Sequence, residues 1–122
     1  MSPRTLPPCP QSPNCVSTLA PPHDTRHAIG PYPYSKTRSD AKAVLKAVLA
    51  DLPRTKLVEE SEAYLRYECT SLLMRFVDDV EFVFDEGAKT IHFRSASRTG
   101  YGDFGVNRRR MEDIRVRVEG KL

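Results

Sequence analysis

Glycines, serines and arginines are concentrated in residues 91–110, which read IHFRSASRTGYGDFGVNRRR. Glycine permits backbone conformations and close approaches that other residues do not, and the amides at the start of a helix carry partial positive charge. Guanidinium groups bind carboxylates and phosphates through paired hydrogen bonds. The combination is typical of an anion-binding site. The candidate ligand-binding residues are Arg94, Ser95, Ser97, Arg98, Tyr101, Asp103, Asn107, Arg108 and Arg109.

An internal alternative explains the same segment without a ligand. Arginines occupy positions 108–110, where a helix is predicted to begin, and cations at that end oppose the helix dipole. They therefore require a counter-charge. The carboxylates that could supply it are Asp78, Asp79, Glu81 and Asp103. In this interpretation the glycines serve a strand-to-helix turn pinned by ion pairs, and the sequence favours it over a ligand site.

Cys9 and Cys15 form a second candidate constellation. A turn between them would bring their Cα atoms within the roughly 4.4–6.8 Å that a disulfide requires, and the bond would stabilise the fold by about 2 kcal/mol. In a reducing compartment the pair would be free thiols or metal ligands instead. His23 and His27 follow, but the spacing is too irregular for a zinc finger. We predict structural or redox-idle cysteines, with no metal and no cofactor.

Other reactive residue types have simpler interpretations. Asp78 and Asp79 are adjacent, and aspartate favours turns, so they are predicted to form a tight turn. His92 falls on the polar face of a predicted strand and is assigned no catalytic role. Cys69 falls on the apolar face and is predicted to pack in the core. No Gly-x-Ser-x-Gly order is present, so no catalytic residue is assigned, and enzyme activity is left open.

The amino-terminal third is rich in proline, because every proline except Pro53 lies within residues 1–36. Proline removes backbone donors and biases its neighbours to extended conformations, so no regular structure is expected there. The segment also contains large apolar side chains. These are Val16, Leu19, Ile29, Tyr32 and Tyr34. We therefore predict that residues 1–36 form an arm packed on a single α+β domain of residues 37–122.

Helical periodicity begins near residue 37 and recurs near the carboxyl end. Apolar residues at a 3/4 spacing follow a possible cap at Thr37 or Ser39, and Pro53 ends this first helix. A second helix is predicted from about residue 104 to residue 118, capped by Asp103 or Asn107. Its predicted apolar stripe is Phe104, Met111, Ile114 and Val118.

Alternating residues between the helices predict four antiparallel strands. KLVEES and AYLRYECTS form the first two, and a bulge near Thr70 and Ser71 would turn Leu72, Met74 and Phe76 onto the apolar face. After the turn at residues 78–79, strands containing VEFVF and IHF flank a hairpin turn at residues 85–87. The expected α+β fold is an arm, a helix, a four-stranded antiparallel sheet and a second helix, with both helices on one face.

Composition limits the classes of partner that the protein could bind. The chain has 19 basic and 16 acidic side chains, a balance too near neutral to indicate nucleic-acid binding. Arginines dominate the last third, so an acidic protein or a small anion should approach there. No apolar run reaches the roughly 20 residues of a membrane span. The start MSPRTLPPCPQSP does not resemble a secretory signal, which predicts a cytoplasmic protein, or a periplasmic or lumenal one if the start is truncated.

Three ordered blocks carry a family resemblance: CPQSPNCVS at 9–17, RFVDDVEF at 75–82 and RSASRTGYGDFGVNRRR at 94–110. With these blocks the chain resembles domain-of-unknown-function family 1499, over nearly its whole length. The resemblance implies no particular activity. In the glycine-rich part of the third block, the family commonly has serine after the tyrosine that corresponds to Tyr101, where this chain has Gly102.

Two hypotheses of different classes follow. In the first, the protein is a non-catalytic binding or scaffold domain in which Arg94, Arg98 and the loop from Tyr101 to Arg110, here called the arginine/glycine loop, hold an acidic partner or small anion. In the second, it is an enzyme or thiol redox protein that uses Cys9 and Cys15. The first is favoured because it requires only residues that are visibly present.

Overall fold

The computed structural model describes residues 5–100 and 102–122 as two helices and six strands. The helices are α1 (Arg38–Ala50) and α2 (Val106–Val118). The strands are β1 (Cys15–Ser17), β2 (Tyr32–Pro33), β3 (Thr55–Ser61), β4 (Tyr64–Thr70), β5 (Val77–Asp85) and β6 (Thr90–Ser97). Neither described helix has the length and apolar character needed to cross a membrane.

The strands form one antiparallel sheet in the order β1-β6-β5-β4-β3, with β2 also paired to β6. Strands β3 to β6 follow one another through short connections, as alternation predicted. The sequence prediction of four strands was wrong in number, because β1 and β2 of the arm add to the sheet along the outer edge of β6. Pairing there covers backbone groups that would otherwise be an open edge.

The arm is therefore partly regular, contrary to expectation. Residues Cys15–Ser17 contain no proline, so each can take part in a ladder with β6. Pro33 is the last residue of β2, so its lack of a backbone N–H removes only one possible hydrogen bond at the edge of the sheet. The amide of Tyr34 then donates to the carbonyl of Lys89 at 3.0 Å. Proline content ruled out long strands in the arm, but not short ones at an existing edge.

Both helices pack on one face of the sheet. Helix α1 begins after Thr37, whose Oγ1 accepts the amide of Asp40 at 3.1 Å, and it ends before Pro53 as predicted. Its apolar stripe and that of α2 bury against alternate residues of β4, β5 and β6. The core includes Leu45, Leu49, Leu65, Tyr67, Val80, Phe82, Phe93, Met111, Ile114 and Val118. The helix-sheet-helix order predicted from periodicity is confirmed.

The predicted turn at Asp78 and Asp79 was wrong. Both residues lie inside β5, opposite Cys69 and Glu68 of β4, and the actual turn is residues 71–76. Continuing the strand to Val77 pairs its backbone with both β4 and β6. Asp78 consequently shares the buried face with Val80, and the side chains of Leu72, Met74 and Phe76 are exposed instead of packed.

The predicted start of the second helix was also early. Phe104 and Gly105 adopt left-handed backbone conformations, with φ of 55° and 77°, so α2 begins at Val106. Phe104 is 96% exposed and is not part of the buried stripe. Glycine tolerates this conformation at residue 105 without strain, which lets the chain turn sharply from the loop into the helix.

Candidate functional site

The glycine loop, residues 98–105, leaves the end of β6 and leads into α2. The β4–β5 turn emerges from the same end of the sheet, because Thr70 pairs with Val77 and Asp78 pairs with Ser97. The amide of Ser97 also donates to the carbonyl of Asn14 in the arm, at 3.0 Å. The three sequence blocks, far apart along the chain, therefore meet at one end of the sheet.

Asn107 is the centre of this meeting point and has no exposed surface. Its Nδ2 donates to the carbonyl of Asn14 at 3.2 Å, to Ser97 Oγ at 3.1 Å and to Asp103 Oδ2 at 2.8 Å. Its Oδ1 accepts from Ser95 Oγ at 2.6 Å and from Arg110 Nη1 at 2.9 Å. We call this cluster the Asn107 junction. Its members are Asn14, Asp78, Ser95, Ser97, Asp103, Asn107 and Arg110.

Arg110 and Asp78 form the ion pair of the junction. Arg110 Nη2 lies 2.6 Å from Asp78 Oδ2, and the two side chains are only 16% and 8% exposed. Arg110 also donates to Ser95 Oγ at 3.2 Å. A carboxylate buried this deeply requires a partner, because leaving one ion of such a pair alone is strongly destabilising. The internal counter-charge expected for the helix arginines is thus present at Arg110.

Asp103 occupies the amino end of α2. Its carboxylate accepts the amide of Gly105 at 2.8 Å and the amide of Asn107 at 3.0 Å. Burial works to raise the pKa of Asp103, but the hydrogen bonds from the Asn107 and Gly105 amides and the Asn107 side chain outweigh it and lower the pKa. The anion expected at the start of this helix is therefore a side chain of the same chain.

Arg98 is neutralised on the opposite, polar face of the sheet. Its Nε lies 2.8 Å from Asp79 Oδ2 and its Nη2 lies 2.7 Å from Glu68 Oε2. Arg66 Nη1 lies 3.2 Å from Asp79 Oδ1. The hydrogen bonds from Arg98, reinforced by its charge and that of Arg66, lower the pKa of Asp79. Asp79 is thus held ionised by two arginines.

Arg94 lies on this polar face as well. Its Nη1 is 3.8 Å from Glu81 Oε1, and its Nη2 donates to the carbonyl of Pro8 in the arm at 3.4 Å. Its Nε is buried without a hydrogen-bond partner among the described residues. The sheet consequently divides the predicted site: Arg94 and Arg98 lie on one face, whereas Ser95 and Asn107 lie on the other.

A cleft of about 350 Å³ remains between the arm and the glycine loop. It is lined by Pro13, Val16, Arg26, Gly102, Asp103, Phe104, Gly105 and Arg108. Arg108 Nη2 donates to the carbonyls of Ala28 at 2.8 Å and Arg26 at 3.2 Å, and Arg26 Nη1 donates to the carbonyl of Gln11 at 3.3 Å. Arg109 Nη1 donates to the carbonyl of Phe104 at 2.5 Å.

One predicted site residue, Tyr101, lies outside the described residues. Arg108 and Asp103 line the cleft, and Arg109 lies beside it against Phe104. In contrast, the polar atoms of Ser95, Ser97 and Asn107 are hydrogen-bonded within the Asn107 junction. The structure thus brings together only part of the predicted set around open space.

Cys9 and Cys15 are joined by a disulfide with a Cα–Cα distance of 5.7 Å. Cys15 is fully buried in β1, and Cys9 is partly exposed. His27 is also buried, with Nδ1 2.7 Å from Asp24 Oδ2 and Nε2 2.8 Å from the carbonyl of Ser12. No group of three or more histidine, cysteine or acidic side chains that could hold a metal ion occurs in the described part of the chain.

Sequence reasoning named Asp78 among the possible counter-charges of the helix arginines, but it missed Asn14 and did not predict that Asp78 and Arg110 form a buried pair within one cluster. Two signals were available for the latter pair. Asp78 has the same parity as Val80, Phe82 and Phe84, so continuing the strand would have placed it on the buried face. Positions 107, 110, 111, 114 and 118 fall on one helical stripe, which places Arg110 beside buried apolar residues. No comparable signal marked Asn14.

Comparison with protein families identifies the family of this chain. The model described as "Protein of unknown function (DUF1499)" matches residues 5–118, a span that includes all three sequence blocks and both helices. No curated protein matches the chain, and neither does any solved structure. Because the family model extends over almost the entire sequence, this chain belongs to the DUF1499 family.

Proposed function

We propose that this protein is a non-catalytic binding domain whose arginine/glycine loop, together with the arm, holds an acidic partner over the cleft. One observation supports the proposal. Within the described residues, Arg26, Arg108 and Arg109 donate hydrogen bonds to backbone carbonyls and lie beyond 4.0 Å of any carboxylate oxygen. A neutral carbonyl fixes a guanidinium in place without cancelling its charge, so these three cations keep a net attraction for anions.

The acidic partner is favoured over a small anion. Phosphate or sulfate would bind best at the free amides that begin α2, but the Asp103 carboxylate already accepts the amides of Gly105 and Asn107. A small anion would also face the negative charge of Asp103. A peptide with several carboxylates could instead contact the three arginines from outside the helix end.

Fluorescence anisotropy with a labelled polyglutamate peptide tests the proposal. Arg26→Gln and Arg109→Gln should each weaken binding by up to about fivefold, the range of exposed ion pairs, and together by more. Arg117→Gln is the matched control, since it removes the same charge from an exposed arginine near the other end of α2. Equal losses in all three variants, or no binding at low salt, would refute a specific site at the cleft.

The small-anion version is tested by thermal unfolding with millimolar phosphate, sulfate or citrate. We expect a rise in Tm no larger than that produced by chloride at the same ionic strength. A larger rise that disappears in the Arg26→Gln/Arg109→Gln variant would replace the acidic partner with a small anion as the ligand of this cleft.

The alternative function, an enzyme or thiol redox protein using Cys9 and Cys15, stays a prediction. The partial exposure of Cys9 favours it, because exchange requires an accessible sulfur. The burial of Cys15 within a strand of the sheet weighs against it, since a catalytic cycle would repeatedly disturb the β1–β6 pairing. Equilibration with glutathione buffers tests it: a pair that opens within the range of about −120 to −270 mV would behave like known oxidoreductases.

A further inference from the structure

The turn between β4 and β5 is exposed and apolar. Leu72, Leu73, Met74 and Phe76 expose 61%, 88%, 67% and 47% of their surface, and Phe104 of the glycine loop exposes 96% at the same end of the sheet. We call these five residues the apolar tip. Isolated exposed apolar residues are common on proteins, but several large ones in a single turn usually mark a contact surface.

The local structure of this turn holds the apolar side chains outside the body. The amide of Ser71 donates to the carbonyl of Phe76, and the amide of Phe76 donates to Ser71 Oγ, both at 2.9 Å. Arg75 adopts a left-handed conformation with φ of 58°. The chain thus closes on itself at residues 71 and 76, and residues 72–75 project beyond the end of the sheet.

Positive charge accompanies the tip. Residues 71–76 include Arg75 and no acid. Arg54 is exposed beside the turn, where its Nε donates to the carbonyl of Thr70 at 3.1 Å. Among the described residues neither arginine lies within 4.0 Å of a carboxylate, whereas the nearby Asp78 and Asp79 are both paired. The apolar side chains of the β4–β5 turn are therefore accompanied by two arginines, Arg54 and Arg75, whose charge is not paired with a carboxylate.

We infer that the apolar tip is a contact surface for an anionic lipid bilayer. The apolar side chains would enter the boundary between headgroups and acyl chains, while Arg54 and Arg75 would meet the acidic headgroups. A bilayer accommodates a narrow convex projection, because lipids rearrange around it. A specific protein partner would need a matching pocket and roughly 800 Å² of contact on each side, which two short turns do not offer.

This surface does not depend on the proposed acidic partner. Phe104 belongs to both surfaces, but the cleft cations Arg26 and Arg108 belong to the arm and α2, whereas the β4–β5 turn and Arg54 belong to the β3–β5 side of the sheet. Variants can therefore be chosen that change one surface and leave the other intact.

Tryptophan fluorescence gives a direct test, because the chain contains no tryptophan. Leu73→Trp should shift its emission to shorter wavelength when vesicles of phosphatidylcholine and phosphatidylserine in equal parts are added. Val116→Trp, at an exposed position near the other end of α2, should not shift. Pure phosphatidylcholine should produce little change, and added salt should weaken the response. No shift of the Leu73→Trp emission with anionic vesicles would overturn the inference.

Vesicle cosedimentation without a new fluorophore provides the second test. Leu73→Ser/Met74→Ser should reduce binding to anionic vesicles by about tenfold or more, since each large apolar side chain accounts for about a factor of ten on full burial. Arg75→Gln should reduce binding several-fold. Val116→Ser and Arg117→Gln, both near the other end of α2, should bind like the parent protein. All of these side chains are exposed, so an unchanged Tm is expected and separates lost binding from lost folding.

Two other results would reject a membrane role. If the parent protein self-associates in light scattering and Leu73→Ser/Met74→Ser abolishes this without affecting vesicle binding, the tip is an interface between copies of the chain. If Val116→Ser and Leu73→Ser/Met74→Ser lower vesicle binding equally, the contact is not specific to the tip.

Discussion

The Asn107 junction and the apolar tip lie at the same end of the sheet and reverse the usual distribution of residue types. The junction buries polar and charged groups, including Asn107 with no exposed surface and the Arg110–Asp78 pair. The tip exposes leucine, methionine and phenylalanine. In the junction every polar group named above has an internal partner, so it has little to offer a ligand. The difference shows that the polar residues of the Asn107 junction are used within the fold, whereas the side chains of the apolar tip are left exposed.

The largest effect should come from breaking the buried ion pair. Asp78→Ala leaves Arg110 with an uncompensated charge that is mostly buried, and it should reduce the free energy of unfolding by about 3–5 kcal/mol in urea denaturation. Asp113→Ala is the matched control, because its pair with Arg117 is about half exposed. That change should cost less than about 1 kcal/mol. Similar costs for the two variants would remove the distinction between the junction and the surface.

The second-largest loss of stability should come from replacing Asn107. Asn107→Leu removes one hydrogen bond each from the Asn14 carbonyl, Ser95, Ser97 and Asp103 in a buried site, so we expect a loss of about 3 kcal/mol. Glu112→Leu, at an exposed position of the same helix, controls for the presence of leucine and should change stability little. A stable Asn107→Leu variant would show that the junction tolerates an apolar replacement, as some buried polar networks do.

The disulfide should contribute less. Reduction, or the Cys9→Ser/Cys15→Ser variant, should lower the free energy of unfolding by about 2 kcal/mol, because the closed loop is short. Reductant should have no further effect on the double variant, which serves as the control. A loss much larger than this would mean that the arm pairs with β6 only when the disulfide holds it.

Acid should lower the stability of the folded protein by protonating Asp79 on the polar face of the sheet. Arg98 holds the pKa of Asp79 below its ordinary value of 3.8, so this group stabilises the folded protein above about pH 4. The contribution is lost as pH falls from the ordinary value through the depressed folded one. Asp79→Asn should therefore flatten the pH dependence of unfolding in that range. An Asp79→Asn variant that keeps the full pH dependence in this range would contradict this assignment.

The smallest effect on stability should come from the tip. Leu73→Ser should change the free energy of unfolding by no more than about 0.5 kcal/mol, because the side chain is already in water. Leu65→Ala, in the core, should cost about 2–5 kcal/mol by comparison. A tip variant that destabilises as strongly as a core variant would mean that the apolar turn packs against the body.

Local sequence determined the elements of the body. Apolar spacing identified both helices, Pro53 marked the end of α1, and alternation identified the strands around Leu65, Phe82 and Phe93. These features repeat within a few residues, so neighbouring side chains are sufficient to specify them. The three sequence blocks likewise identified the family, which the match over residues 5–118 confirms.

Tertiary structure decided what local spacing could not. Asp78 can lie inside a strand because Arg110, far along the chain, neutralises it, and the carbonyl of Asn14 meets Asn107 across 93 residues of sequence. The partner of a buried polar group is chosen by long-range packing, which a local pattern does not record. The same packing places β1 and β2 beside β6 and leaves Leu73 without a neighbour to cover it.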